Sequence, residues 1–467
     1  MQRRSFLTLA SLMPLSLHAA KPQRWDALVI GAGLAGLSAA IALQDEGLNV
    51  LVLEARQRVG GRLETVARGG LRFELGAVEV GSNYARVLAH ARQARVEIQA
   101  PTGARVPGLD LYYAGERIAQ EQWAAHPRNP LPEAARATLP GMFLGQWLAA
   151  DTRLANAADW LSASSAGLDV PLWADLQQRG FPAEAIRLAE LAANYNSFSE
   201  VSLLDILRRD ALRKSAGPQA SVLNIIGGSQ SLPEGMASRL EHPVKLGQVV
   251  QSIRRDGRRF VVRTGSDEFQ AARLVVAVPA PLVLGLGWEL GAHSGLPSVL
   301  EPLFKRPMTA VTTLHCKPLT PYWEQDGGAP NMWVDGPLER VFAVADAKGQ
   351  PERILTWCNG RHAQQLANLG DEAAQARYLL DEFVRLRPAT QGQLQVLALK
   401  SWGADPFSRG AYVEIAAGQC GATAQALAAS SKVLPSGLAF AGEHMVFSAS
   451  GMEAAVLSGE LAAQQIA

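Results

Sequence analysis

The segment DALVIGAGLAGLSAAIALQDEGLNVLVLE, Asp26 to Glu54, leaves the chain little choice of local fold. DALVI reads as a buried strand. Leu34, Leu37 and Ile41 recur at i, i+3 and i+7, one face of a helix packed on that strand, and NVLVLE reads as a second strand. Between first strand and helix, Gly31, Gly33 and Gly36 make G-x-G-x-x-G. Gly31 permits the tight turn, Gly33 lets backbone approach a pyrophosphate, and Gly36 lets helix and strand pack closely. The free N–H groups and positive dipole end of the helix, beginning at Leu34 and Ala35, then face phosphate oxygens. Glu54 closes the second strand at the spacing of roughly 20 residues expected of an acid that accepts hydrogen bonds from a ribose. A carboxylate there would repel a 2′-phosphate, which disfavours NADP. A glycine turn alone can serve packing, but strand, helix, strand and acid in register make a dinucleotide site.

One such unit accounts for a small part of 467 residues, and two domains are the natural expectation for a chain that is 48% hydrophobic. Lys and Arg number 44 against 43 Asp and Glu, and no dense basic cluster marks a nucleic-acid surface, so the expected partner is a small molecule. Cys316, Cys358 and Cys420 lie far apart without C-x-x-C, which argues against a disulfide framework or a zinc site; they read as buried or half-buried thiols. The histidines are scattered, and no metal is expected. Residues 1–23 stand apart from the fold. QRRSFLTLASLMPLSLHAA has Arg3 and Arg4, then Phe6 and Leu7, then an apolar run ending in small residues, the pattern of a twin-arginine export signal. The run is short and interrupted at Pro14, unsuited to spanning a bilayer. The signal implies passage through the twin-arginine translocase to the periplasm, a route that carries folded, cofactor-loaded proteins; a frayed basic terminus and an uncleaved anchor are the alternatives.

Beyond Glu54 the chain continues ARQRVGGRLET, and Gly60, Gly61 and Arg62 form a second glycine-plus-arginine element. A nicotinamide domain has no need of it. A flavin dinucleotide laid across the sheet needs a second backbone approach and a cation over its pyrophosphate. At this point the chain resembles the flavin-containing amine oxidase family, which includes monoamine oxidases, polyamine oxidases and L-amino acid oxidases. Further matching pieces are FELGAVEVG (Phe73 to Gly81), IIGGSQSLPEGMASRL (Ile225 to Leu240), VKLGQVVQSI (Val244 to Ile253), ARLVVAVP (Ala272 to Pro279) and LAFAGEHMVFSASGMEAAVLSGELAAQQI (Leu438 to Ile466). The resemblance implies an α/β fold, a Rossmann-like FAD-binding domain with a discontinuous, inserted α+β substrate domain. It implies cofactor contacts at Ala55 and Arg56, at Gly76, Ala77 and Val78, and from the backbone of Val249 to the adenine. At the ring end it implies Gly442, Glu443, Gly451 and Met452, with the amides of the last helix stabilising negative charge near flavin N1 and O2.

These pieces also have plain physical readings. SQSLPEGMASRL is a helix with Leu232, Met236 and Leu240 every four residues, Asp256-Gly257 turns a hairpin, and LAFAGEH is a buried strand. The expected FAD-binding domain comprises 24–84, 218–288 and 400–467, and the substrate domain 85–217 and 289–399, with the active site at their junction. RRDALRKSAG around Arg208 reads as a solvated helix face.

The catalytic reading rests on SWGADPFSRGAYVEIAAGQ. By resemblance Trp402 stands beside the flavin and Tyr412 forms one wall of an aromatic cage that steers a neutral amine toward flavin N5, in a pocket with little water. Core packing of both aromatics is the alternative. Three departures from the family follow. Ala411 stands where monoamine oxidases carry the cysteine that binds flavin covalently, so FAD is expected to be non-covalent. Gly451 stands where the second cage aromatic would be, with Phe447 available to fill the gap. Thr313 stands where the family commonly carries a lysine that favours electron transfer to dioxygen, with Lys305 and Lys317 flanking it. Glu79 is placed to meet a distal ammonium, ordinary exposure being the alternative. The expected activity is oxidation of an amine or amino acid to an imine, which water hydrolyses. Electrons pass to dioxygen, a c-type cytochrome or a quinone-linked acceptor. A flavin-dependent desaturase or isomerase of an apolar substrate and a non-catalytic flavoprotein are the rival classes.

Overall fold

A computed structural model of the chain describes residues 23–467 apart from 102–104, 218, 266 and 292. The expected export signal lies outside the described residues except for Gln23, with which the first strand opens.

Strand Gln23–Ile30, helix Leu34–Asp45 and strand Val50–Leu53 follow one another as the glycine turn demands. The first strand pairs in parallel with Val50–Leu53 on one side and with Glu268–Val276 on the other, and Leu438–Phe440 joins Glu268–Val276 in parallel. The Asp256-Gly257 hairpin extends this sheet: Val250–Asp256 runs antiparallel to Arg259–Thr264, with Gly257 at φ 58°, a left-handed conformation that glycine adopts freely.

Helix Leu34–Asp45 is buried on more than the one face its periodicity predicts, with Leu34, Leu37, Ala39, Ala40, Ile41 and Leu43 all inside. The C-terminal helix, Gly451–Ile466, crosses its other side. Gly459 makes that crossing possible, since a Cβ there would lie 2.2 Å from the Ala35 carbonyl oxygen, and Ser38 Oγ donates to the Val456 carbonyl at 2.9 Å. The helix expected from Leu232, Met236 and Leu240 spans only Ser231–Ala237. Leu240 falls in the turn beyond, half-buried, its N–H donating to the Ala237 carbonyl at 3.1 Å.

A second sheet of seven strands has the order Leu394–Ser401, Val311–Pro318, Pro351–Asn359, Arg340–Ala345, Asn331–Val334, Leu109–Tyr113, Glu116–Ala119. Its register sets Arg340, Trp357, Thr313 and Lys400 side by side across four antiparallel strands. Directly opposed residues share a face, so these four side chains project from the same side of the sheet.

Helix Leu203–Ser215 divides the Arg208 run: Arg213, Lys214 and Ser215 are exposed as expected, whereas its first part is not. Arg208 is 2% exposed, its guanidinium paired at 2.6 Å with the fully buried Asp205 and lying over the Trp160 and Phe447 rings. Two arginines, Arg208 and Arg209, share that carboxylate, which explains how the charges are tolerated inside. Cys316, Cys358 and Cys420 are free and buried.

Candidate active site

A long cleft opens along the carboxyl ends of the parallel strands. At one end Gly31, Gly33, Leu34 and Ala35 line it from the first turn, with Glu54, Ala55 and Arg56 from the second strand end and Val249 from the hairpin. Gly61 and Arg62 line its middle with Ala77, and Tyr412, Gly442, Glu443, Gly451 and Met452 line its far end. The two glycine elements meet: Gly60 N–H donates to the Ala32 carbonyl at 2.8 Å, and a Cβ on Gly61 would stand 3.5 Å from the Gly33 Cα.

The lining suits a dinucleotide. Gly33 has open space where a Cβ would stand, leaving its backbone accessible, whereas Gly31 sits at φ 102° and a Cβ on Gly36 would lie 1.9 Å from the Gly31 carbonyl oxygen. Gly36 therefore serves helix–strand packing and does not line the cleft. Buried Glu54 accepts from the Ala32 N–H through Oε2 and from the Arg56 N–H through Oε1, both at 2.8 Å. A carboxylate offers about four lone-pair sites, so two remain for ribose hydroxyls. His444, deeper in the cleft wall, keeps a buried Nε2 with no partner among the described residues, and burial together with the nearby Arg306 and Arg62 pushes its pKa down to about 3. Arg62 donates to the Ala411 carbonyl at 2.6 Å and pairs with Glu443, which holds its guanidinium across the cleft floor. Arg56 is tied to Asp405 at 2.7 Å and to Ser408, with its guanidinium over the Phe407 ring.

Tyr412 is carried by a two-stranded piece in which it faces Thr309. Burial pushes its phenol up to about 12, against a lowering by Arg340, so the ring is neutral. The backbone beside it is clamped from behind: Arg209 donates to the Val413 carbonyl at 2.7 Å and Arg306 to the Glu414 carbonyl at 3.1 Å. The Glu414 side chain accepts from the Asn196 N–H at 2.9 Å and from the Thr309 hydroxyl, and burial raises it to about 7. These buried charges hold the tyrosine strand in place; the local sequence gives no sign that they converge.

Phe447 does not fill the space at Gly451. Its ring packs on Trp160 at 4.8 Å, and its carbonyl accepts from Arg208 at 2.7 Å, which turns it away from the cleft. The atom nearest to where a Gly451 Cβ would stand is the Tyr84 hydroxyl, at 3.5 Å. Tyr84, from the stretch SNYARV, thus stands behind Gly451 with its hydroxyl, and its ring packs against the core without lining the cleft. Glu79 is exposed and lines neither this cleft nor the chamber described next.

Gly76, Val78 and Thr313 line a second chamber, while Ala77 between the first two lines the cleft. One strand of backbone therefore separates the cavities. Trp402 lines neither: it is buried behind that wall, Nε1 donating to the Leu75 carbonyl at 2.8 Å, and a Gly76 Cβ would meet its ring at 3.2 Å. Thr313 is buried with its hydroxyl unpartnered among the described residues. Neither flanking lysine replaces it: Lys305 is exposed and paired with Glu301 at 2.5 Å, and Lys317 is exposed. Lys400, beside Thr313 in the sheet, is turned to Asp405 at 2.8 Å and lies over the Trp402 ring. The period-two pattern of RILTWCNG and VTTLHCKP carried a signal for Trp357, Arg353 and His315 as chamber residues, because alternate residues of a strand share a face.

The chain is similar to known proteins both in sequence and in fold. A family model described as flavin containing amine oxidoreductase matches residues 34–467. A flavin-containing amine oxidase of Danio rerio is 28% identical over 411 residues, covering 83% of this chain and 76% of its own length. Flavin-containing amine oxidase B of Sus scrofa is 26% identical over 413 residues, with the same shares of the two chains. In fold the chain is similar to putrescine oxidase bound to putrescine, with TM-score 0.71 at 20% identity over 96% of this chain and 99% of that one. Cyclohexylamine oxidase from Brevibacterium oxydans gives TM-score 0.71 at 21% identity, over 95% and 98%.

Proposed function

The chain belongs to the flavin-containing amine oxidoreductase family and is an FAD-dependent amine oxidase, and on that premise we propose how its residues perform the reaction and where. The observation that carries the reading is the continuity of the cleft, from the phosphate-facing turn at Gly33 and Glu54 to the neutral aromatic at Tyr412. When bound, FAD supplies the acceptor for a hydride from the carbon α to the amine nitrogen, leaving an imine that water hydrolyses. The chain's own residues bind and orient. Gly31, Gly33 and the first amides of the Leu34–Asp45 helix take the pyrophosphate, Glu54 the ribose, and the N-terminus of the Gly451–Ile466 helix faces the ring end. Tyr412 borders the place where the amine stands, and its ring keeps water from it.

Ala411 offers no thiol, so FAD is held without a covalent bond. The seven-stranded sheet with its covering helices acts as the substrate domain, inserted into the FAD-binding domain at 85–217 and 289–399. The protein is exported by the twin-arginine translocase and works in the periplasm, and a c-type cytochrome or quinone-linked carrier takes its electrons. The test is anaerobic mixing of the purified holoprotein with a panel of amines and amino acids while the flavin absorbance is followed. Bleaching by at least one amine is expected; an apolar alkene or ketone substrate that bleaches the flavin when no amine does would replace this reading.

A further inference from the structure

The second chamber has a volume of about 330 Å³, within the range of small-molecule sites, and exposed Val78 and Arg72 in its lining mark where it opens to solvent. Gly76 and Val78 line it while Ala77 between them lines the cofactor cleft, so one thickness of backbone separates the two. Such a wall stops a molecule, whereas electrons cross it. The two cavities are therefore separate for ligands and adjacent for electron transfer.

Most of the lining is apolar: Phe73, Leu75, Val78, Ile225, Leu355 and Trp357. Two donors are set into it. Thr313 and His315 share one face of strand Val311–Pro318, two residues and about 7 Å apart. The His315 ring stacks on Phe73 at 4.7 Å, and its Nδ1 lies 2.7 Å from Arg353 Nη1. A guanidinium can only donate, so Nδ1 accepts. Burial and the Arg353 charge push His315 down to about 3, so the ring is neutral and its proton sits on Nε2. That Nε2–H and the Thr313 hydroxyl are buried and find no partner among the described residues, and a buried donor left unpaired costs free energy that an acceptor in the chamber would recover.

The charges at the Arg353 end balance. Arg353 and Arg72 face Glu74, whose oxygens are taken by the Ser229 N–H at 3.1 Å and the Thr65 hydroxyl at 2.8 Å, and Glu352, next to Arg353 in the strand, supplies a second negative charge that acts on it. An uncharged ligand with acceptor atoms suits this chamber better than an ion.

We propose that the chamber binds a quinone, which takes electrons from the reduced cofactor through the wall at 76–78. A quinone is an uncharged ring with a carbonyl at each end. Laid along the strand between apolar walls, it accepts from the Thr313 hydroxyl at one carbonyl and from the His315 Nε2–H at the other. The inference rests on the flavin-dependent amine reading above and gives its quinone-linked acceptor a place. Two electrons cross the wall for each amine oxidised. The two protons freed in making the imine leave through the cleft, the quinone takes up two protons from solvent at the chamber mouth, and the quinol departs there.

The experiment uses FAD-loaded enzyme and duroquinone in two measurements. Calorimetric titration of the oxidised enzyme should show saturable binding, weakened roughly two- to tenfold in Thr313→Val and likewise in His315→Phe, since each removes one neutral hydrogen bond. Enzyme photoreduced under argon, with no amine present, should be reoxidised by duroquinone at a rate that saturates with quinone concentration, and both variants should need correspondingly more quinone. No saturable binding in the wild type, or binding and reoxidation that both variants leave unchanged, overturns the site; binding without reoxidation overturns the acceptor role. Thr313→Val is close in shape to the native residue and decides alone if His315→Phe does not fold. Photoreduction bypasses the amine, so failure of every amine to bleach the flavin sinks the amine reading and leaves this test intact.

Discussion

Glu54 carries two loads that one substitution can separate. Its carboxylate braces the glycine turn through the Ala32 and Arg56 amides, each at 2.8 Å, and its remaining lone pairs face the cleft. Glu54→Gln keeps the shape, but one oxygen becomes an NH2 that meets a backbone N–H donor, so one charged hydrogen bond is lost inside the protein. Hydrogen bonds to a charged group contribute about 1.5 to 3 kcal/mol, and the flavin-free protein should lose about that much stability in a urea titration. If the carboxylate also accepts from the ribose, FAD affinity falls by a further factor of roughly ten to a hundred. The assay is paired: urea unfolding of the deflavinated protein, and a fluorescence titration of FAD into it. A stability loss with unchanged FAD affinity would confine Glu54 to bracing the turn. No change in either would refute the reasoning from the carboxylate's geometry altogether.

Heat or acid precipitation should release all the flavin as FAD, because Ala411 has no thiol; flavin retained on the washed polypeptide would contradict this. Gly36→Ala places a methyl group 1.9 Å from the Gly31 carbonyl oxygen, so the turn must open, and the purified variant is expected to be colourless or destabilised by about 1 to 3 kcal/mol. Since Thr313 supplies no cation, enzyme reduced under argon should reoxidise slowly in aerated buffer and faster with an oxidised c-type cytochrome, and Thr313→Lys should speed the reaction with air; air reoxidation at the turnover rate in the wild type would rule this out. Glu414 is held at about 7 by burial, above the 4.5 of an unfolded glutamate, so the native state binds the extra proton between these values. Stability from this group is greatest at or below the lower value and falls by about 3 kcal/mol as pH rises through 7. Buried His315 and His444, both held near 3, act in the opposite sense between that value and their ordinary 6.5. The test is therefore the difference between wild type and Glu414→Gln, which should shrink toward low pH; a flat difference would show the carboxyl ionises normally.

Local stereochemistry was legible in the sequence because it is decided within a few residues. Gly31, Gly33 and Gly36 specify a strand–turn–helix whatever surrounds them, Asp256-Gly257 specifies a hairpin, and Glu54 comes at the end of its strand. Together with the family resemblance these named residues at both ends of the cleft and in its middle, but not Leu282, Leu286, Phe407 or His444 of its lining. The misreadings share a different cause. Arg208 reads as solvent-facing from its charge and lies inside because Asp205, one helical turn away, and the rings of Trp160 and Phe447 converge on it. Phe447 was expected at Gly451 from proximity along the chain, and Tyr84 stands there because the Ala85–Gln93 helix is anchored on Glu453 through the Arg86 and Val87 amides.

The sequence alone thus determined the dinucleotide turn, which follows from short-range backbone geometry, and its motifs carried the family resemblance from which the class of chemistry was taken. Only the tertiary structure decided that Arg340, Trp357, Thr313 and Lys400 form one row, that Trp402 stands behind the wall, and that Arg353 and His315 face a chamber beside the cleft. Register between strands distant in the chain is set by the packing of whole sheets, and a shift of one residue would turn each of those side chains to the opposite face.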